Sequence, residues 1–133
     1  MKTKIAIASL LAVAVAAPAA HARKDYQTFP IEVITSQPEY AEKVGDFKFT
    51  FGDSVSGTSI GPTNTRKSTN GINKSDARAC AWAALGALIA MKADAESRGG
   101  TAVEGIKSTV SGDEFSSATE FQCVSGFTNS RVY

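Results

Sequence analysis

Histidine is nearly absent from this chain: His21 is the single one among 133 residues. It falls at the end of a stretch with the marks of an export signal. Lys2 and Lys4 precede an apolar run, Ile5 to Ala17, which ends in Pro18-Ala19-Ala20-His21-Ala22. A charged start, a short apolar middle and an Ala-x-Ala ending are what a secretory signal peptide requires. The run is about 13 residues, short of the ~20 needed to span a bilayer. Residues 1–22 therefore read as a leader, with cleavage after Ala22 and the periplasm or the exterior as the destination. No Cys follows the run, so no lipid attachment and no stable membrane insertion are expected after cleavage. The mature chain then has no histidine. That excludes a Ser-His or Cys-His nucleophile pair and an imidazole metal ligand.

Charge of one sign is also missing. The whole chain holds 14 Lys+Arg against 13 Asp+Glu. Loss of Lys2 and Lys4 leaves 12 basic against 13 acidic residues, a mature balance of −1. That offers no basic footprint for nucleic acid. There is no G-x-x-x-x-G-K-[ST], hence no P-loop. Asp113-Glu114 and Glu120 can be proposed as paired carboxylates, but they read as solvated turn residues. These absences point to a protein that is not an enzyme, with no cofactor and no metal.

Cysteine is scarce but even in number: Cys80 and Cys123. In an oxidising compartment such a pair reads as a disulfide. Free buried thiols and a two-thiolate metal site are the alternatives, and two ligands without histidine or a CxxC pair make a poor zinc site. The remaining ~110 residues fit one small domain, 23–133, of the size that benefits from a covalent staple.

What the chain does have is one long helix. Ser75 to Gly100 reads SDARACAWAALGALIAMKADAESRGG. Ala77, Cys80, Ala81, Ala84, Leu88, Met91 and Ala95 recur at spacings of three and four and line one face. Trp82, Leu85 and Ile89 widen it, and the single Trp reads as core filling, with an exposed anchor as the alternative. Ser75 is a good N-cap, Asp76 suits the positive end of the helix dipole, and Gly99-Gly100 is a stop signal. The middle is apolar almost all round, which raises the question of a second covering surface, a homodimer.

The rest reads as strands and loops. Phe29, Ile31 and Val33 alternate and suggest an edge strand around Pro30. Residues 39–45 suit one helical turn or a loop. Phe47, Phe49 and Phe51 share one face of a strand. Residues 52–74 show no hydrophobic period and read as a long polar loop. Within it Arg66, Lys67, Asn70, Asn73 and Lys74 (with Asn64) form the densest polar cluster. They lead into the helix N-terminus, whose free N–H groups attract anions, so they are the candidate ligand or partner loop. A solvated surface is the plainer reading of that loop. Ala102–Val110 and Thr119–Phe127 read as two antiparallel strands joined through Gly112-Asp113. NSRVY ends the chain in a strand-like run. The fold class expected is α+β: one long helix on a small, mainly antiparallel sheet.

Asn73-Lys74-Ser75-Asp76, Cys80, Trp82, Gly99-Gly100, Ala102-Val103, Glu114-Phe115-Ser116-Ser117 and Cys123 together carry a resemblance. The pattern resembles a family of small exported proteobacterial proteins of unknown function, often named automatically as excinuclease ATPase subunits. That name does not fit an exported chain without a P-loop. Relatives of this kind continue in a further strand after the second Cys, which implies a short or altered last strand here. More loosely, a helix ending at Gly and running into Ala-Val and a strand is similar to the Rcs stress-sensor lipoprotein and to the small heavy-metal-binding domain family. Both resemblances imply a helix on a sheet, and fold alone carries no function. The function expected is that of a non-catalytic envelope protein binding a partner or sensing conditions, with a small-ligand, anion or metal-binding module as the alternative.

Overall fold

The computed structural model describes residues 24–126 and 128–133. Residues 1–23, which include the expected leader, and Phe127 lie outside them. The chain folds as α+β, with the order β1 (Asp25–Pro30), α1 (Glu32–Thr35), α2 (Pro38–Lys43), β2 (Lys48–Phe51), β3 (Lys67–Asn70), α3 (Asp76–Ser97), β4 (Ala102–Ile106), β5 (Glu120–Ser125) and β6 (Asn129–Val132). Four strands form an antiparallel sheet in the order β1-β5-β6-β3, and β2 and β4 form a separate parallel pair. No helix among the described residues is long and apolar enough to cross a membrane.

α3 starts and stops where its end residues dictate. Ser75 Oγ accepts a hydrogen bond from the Arg78 N–H at 3.1 Å, satisfying one of the free donors of the first turn. At the far end Gly99 takes a φ of 79°, and the Gly100 and Gly99 N–H groups bond back to the Ala95 and Glu96 carbonyls. This is a Schellman stop, and it needs a residue that tolerates positive φ.

The helix buries a wide arc made largely of alanine. Ala79, Cys80, Ala81, Ala83, Ala84, Leu85, Ala87, Leu88, Met91 and Ala95 are all buried. Their small side chains let the sheet approach closely. Cys80 and Cys123 are joined with an S–S distance of 2.08 Å and a Cα–Cα distance of 5.9 Å, and both are fully buried. Beside them Ser125 and Ser130 are also buried, with the Ser130 hydroxyl bonded to Ser125 Oγ at 3.4 Å.

That close approach corrects the expected place of Trp82. The indole is 47% exposed and not in the core. It lies on the one outward stripe, Arg78-Trp82-Gly86, while its neighbours at 81 and 83–85 are buried. A ring of that size has no room where alanines set the helix-to-sheet distance. The rest of the apolar circumference is covered within the chain by the sheet, α1 and β4.

Three further expectations are corrected. Residues 31–34 are not strand: β1 ends at Pro30, and Ile31 already has helical dihedrals (φ −56°, ψ −28°). Ile31 and Ile34 are spaced three apart, and Ile34 is 1% exposed against the core. Tertiary burial of Ile34 decides between two periods that a four-residue run cannot separate. The expected edge position of this strand does hold, since among the described residues β1 pairs only with β5. Second, the 52–74 segment is not all loop, because Lys67–Asn70 pairs with β6. Third, β4 does not pair with β5. It runs parallel to β2, with Phe49 opposite Val103 and a register shift before Phe51 meets Ile106. Both edges of β5 are taken, by β1 and β6. Only the isolated Ser108–Phe115 bridge remains of the expected hairpin. The last strand, β6, is short, yet it holds an inner position between β5 and β3.

Candidate functional site

Alanine on α3 fills little volume, and where no strand moves in to compensate a cleft remains. It encloses about 1210 Å³ beside the C-terminal half of the helix. Its floor is Ala84, Ala87, Leu88, Met91 and Ala95, one stripe at helical spacing. Val103 and Ile106 of β4 form one wall, and Phe121, Val132 and Tyr133 the other. The 53–66 segment forms the roof.

The roof is tied down at two places. The Glu104 carboxylate accepts from the Ser56 N–H at 2.9 Å, the Ser56 hydroxyl at 3.0 Å and the Gly57 N–H at 3.0 Å. Those hydrogen bonds, the Gly57 and Ser56 amides first, hold Glu104 below the usual carboxylate range. Val55 packs over Gly105, its Cγ2 only 3.2 Å from where a Cβ would stand there. At the helix end Arg98 pairs with Asp94 and donates to the Pro62 carbonyl at 3.0 Å. A hydrogen bond from Thr63 and the Arg98 guanidinium lower the Asp94 pKa. Gly52 at φ 85° and Gly61 at φ 124° turn the chain into and along the roof. A third group closes the wall beside β4: Lys107 bridges Glu114 at 3.0 Å and Asp53 at 3.2 Å, and Ser116 donates to Asp53 at 2.9 Å. Both carboxylates raise the Lys107 pKa, Glu114 the more.

The five loop residues named from sequence do not converge on one spot. Arg66 lines the cleft, its guanidinium 4.7 Å over the Tyr133 ring. Lys67 lays its stem on Gly86 of α3, with Cγ 3.8 Å from where a Cβ would stand. Asn70 Oδ1 accepts from the Ile72 N–H at 2.9 Å, which shapes the turn after β3. Asn73 has a positive φ, a conformation asparagine tolerates better than most residues. Lys74 follows at the helix start. There Asp76 accepts from Gln27 at 2.8 Å and already places a carboxylate at the positive end of the helix. Asp113-Glu114 and Glu120 are likewise apart in role: Glu114 serves Lys107, while Glu120 opens β5. No group of three or more Cys, Asp or Glu able to hold a metal occurs among the described residues.

The cleft itself is not legible in the sequence. Its one signal is the excess of alanine over leucine on the helix face, which reads equally well as close packing. No family model, no curated protein and no solved structure matches this chain.

Proposed function

We propose that this is a non-catalytic protein of the cell envelope that binds a small ligand with an apolar body in the cleft beside α3. The observation that carries the reading is an aliphatic cleft of about 1210 Å³ roofed by a polar segment held through side chains. That volume lies somewhat above the usual range of ligand sites, about 300–1,000 Å³. Each charged group on its rim that could act as an acid or base is occupied in holding the fold. Glu104 and Asp94 tie the roof, and Lys107 joins Asp53 to Glu114. Export supports the compartment: the Lys2–Ala22 stretch has signal-peptide character, and a buried disulfide suits an oxidising space. The resemblance to small exported proteins of unknown function accords with both.

A neutral apolar dye tests the site. N-phenyl-1-naphthylamine should brighten on the mature protein with one-to-one stoichiometry. Ala87→Leu and Ala95→Leu, which fill the floor, should abolish the signal while leaving circular dichroism unchanged. A dye signal that survives both substitutions would refute the assignment. For the compartment, native material should have the mass of residues 23–133, with neither sulfur alkylatable before reduction.

A further inference from the structure

The cleft has a direction and, among the described residues, one lining cation without a carboxylate partner. Its floor residues Ala84, Ala87, Leu88, Met91 and Ala95 continue to Arg98. At roughly 1.5 Å of rise per residue, the groove runs along the helix for about 20 Å. It is long, with an apolar floor and walls that combine Val103, Ile106 and Val132 with the rings of Phe121 and Tyr133. Of the cations that line it, Arg98 pairs with Asp94, and Lys107 pairs with Asp53 and Glu114. Arg66 alone has no carboxylate partner among the described residues; its guanidinium is held over the Tyr133 ring instead. Arg66 stands immediately before β3, whose first residue, Lys67, lays its stem on Gly86 of α3. The acidic groups that share the lining are engaged: Glu104 with the Ser56 and Gly57 donors, and Glu114 with Lys107. The Tyr133 main-chain oxygen accepts from the Thr109 N–H. An arginine fixed by stacking keeps its in-plane donors aimed for a bidentate oxyanion.

We infer that the ligand is a single-chain amphiphile: a straight aliphatic chain laid along the α3 groove, with a carboxylate or phosphate head on the Arg66 guanidinium. This rests on the cleft reading above and adds the ligand class to it. The chain accounts for the length and the apolar floor, and the head for the one lining cation that has no carboxylate partner among the described residues. A free fatty acid and a lysophospholipid share this chemistry.

The test is displacement of bound N-phenyl-1-naphthylamine from the mature protein by palmitate, by lysophosphatidate with the same acyl chain, by octanoate and by neutral palmitamide. All are used below their micelle concentrations. Palmitate or lysophosphatidate should displace the dye about tenfold or more better than palmitamide, the ratio expected of a charge-assisted hydrogen bond. Octanoate should be much weaker, since each methylene lost from the groove weakens binding about fourfold. In Arg66→Gln, an exposed substitution, the acid-to-amide ratio, each value taken against the variant's own dye affinity, should fall to about one. The better of the two acids identifies the source of the head group. Parity of acid and amide in the native protein, or a ratio untouched by Arg66→Gln, would overturn the ligand class and leave the cleft reading standing. Dye binding with no displacement by any amphiphile would do the same. Failure of the dye itself to bind would remove the cleft reading and this inference together.

Discussion

Removing the Cys80–Cys123 bond is the perturbation with the most calculable effect. The bond closes a loop spanning 43 residues. In the chain-entropy account, a loop of that size raises the free energy of the unfolded state by about 4 kcal/mol. A domain of this size has only about 5–15 kcal/mol of total stability, so the staple is a large share of it. Both sulfurs are fully buried between α3 and β5, so two alanines there add a small packing loss and no stranded charge. The assay is urea unfolding of Cys80→Ala/Cys123→Ala against the native protein. With a slope of about 1.5 kcal/mol per molar, the midpoint should fall by about 2–3 M. The same burial should protect the bond kinetically: a mild reductant should act only as fast as the chain opens. A double variant that unfolds within about 0.5 M of the native midpoint at the same slope would refute the reasoning. It would mean that the alanine-lined contact holds α3 on the sheet unaided.

Three further outcomes are expected. Glu104 has a lowered folded-state pKa, so its hold on Ser56 and Gly57 is present above the ordinary Glu range and lost as pH falls through that lowered value. Amide protection at Ser56 and Gly57 should therefore persist at neutral pH and fade only in acid, whereas Glu104→Gln should lose it at neutral pH; equal protection in both would disprove the tether. Gly52→Ala places a side chain at φ 85°, with its Cβ 3.1 Å from the Ala118 nitrogen. The left-handed conformation alone should lower stability by about 1–2 kcal/mol, read as a drop in urea midpoint, and an unchanged midpoint would contradict the turn geometry. Trp82 is exposed, so Trp82→Gln should change stability by less than about 0.5 kcal/mol, and native Trp emission should be red-shifted. Blue-shifted emission would put the indole back in the core.

The residues of α3 carry their own boundaries. Ser75 caps one end, Gly99-Gly100 closes the other, and the spacing of Cys80, Ala84, Leu88, Met91 and Ala95 marks the inner face. These are local interactions within a turn or two, so they are legible without the rest of the chain. The same holds for the phenylalanine strand, expected at 47–51 and found at Lys48–Phe51; Cys80 and Cys123 are legible for another reason, as the only two cysteines of the chain. Of the site, only Arg66 stands out in the sequence, as one member of a polar run.

Apart from the disulfide, the pairings that depend on a partner distant in sequence escaped. KSTN at 67–70 has no apolar face of its own and becomes a strand only because β6 offers a ladder. Val103 and Ile106 suit a hairpin with β5 as well as they suit β2, and the choice turns on β5 already having both edges filled. Ile31 and Ile34 fit two periods until Ile34 meets the core. Trp82 and the cleft are one effect seen twice: alanines shorten the distance from helix to sheet at one end and leave space under the 53–66 roof at the other. A sequence records which side chains are small, whereas only the tertiary structure decides what moves in to fill the room they leave. The reason is that close packing is settled between elements, not within them.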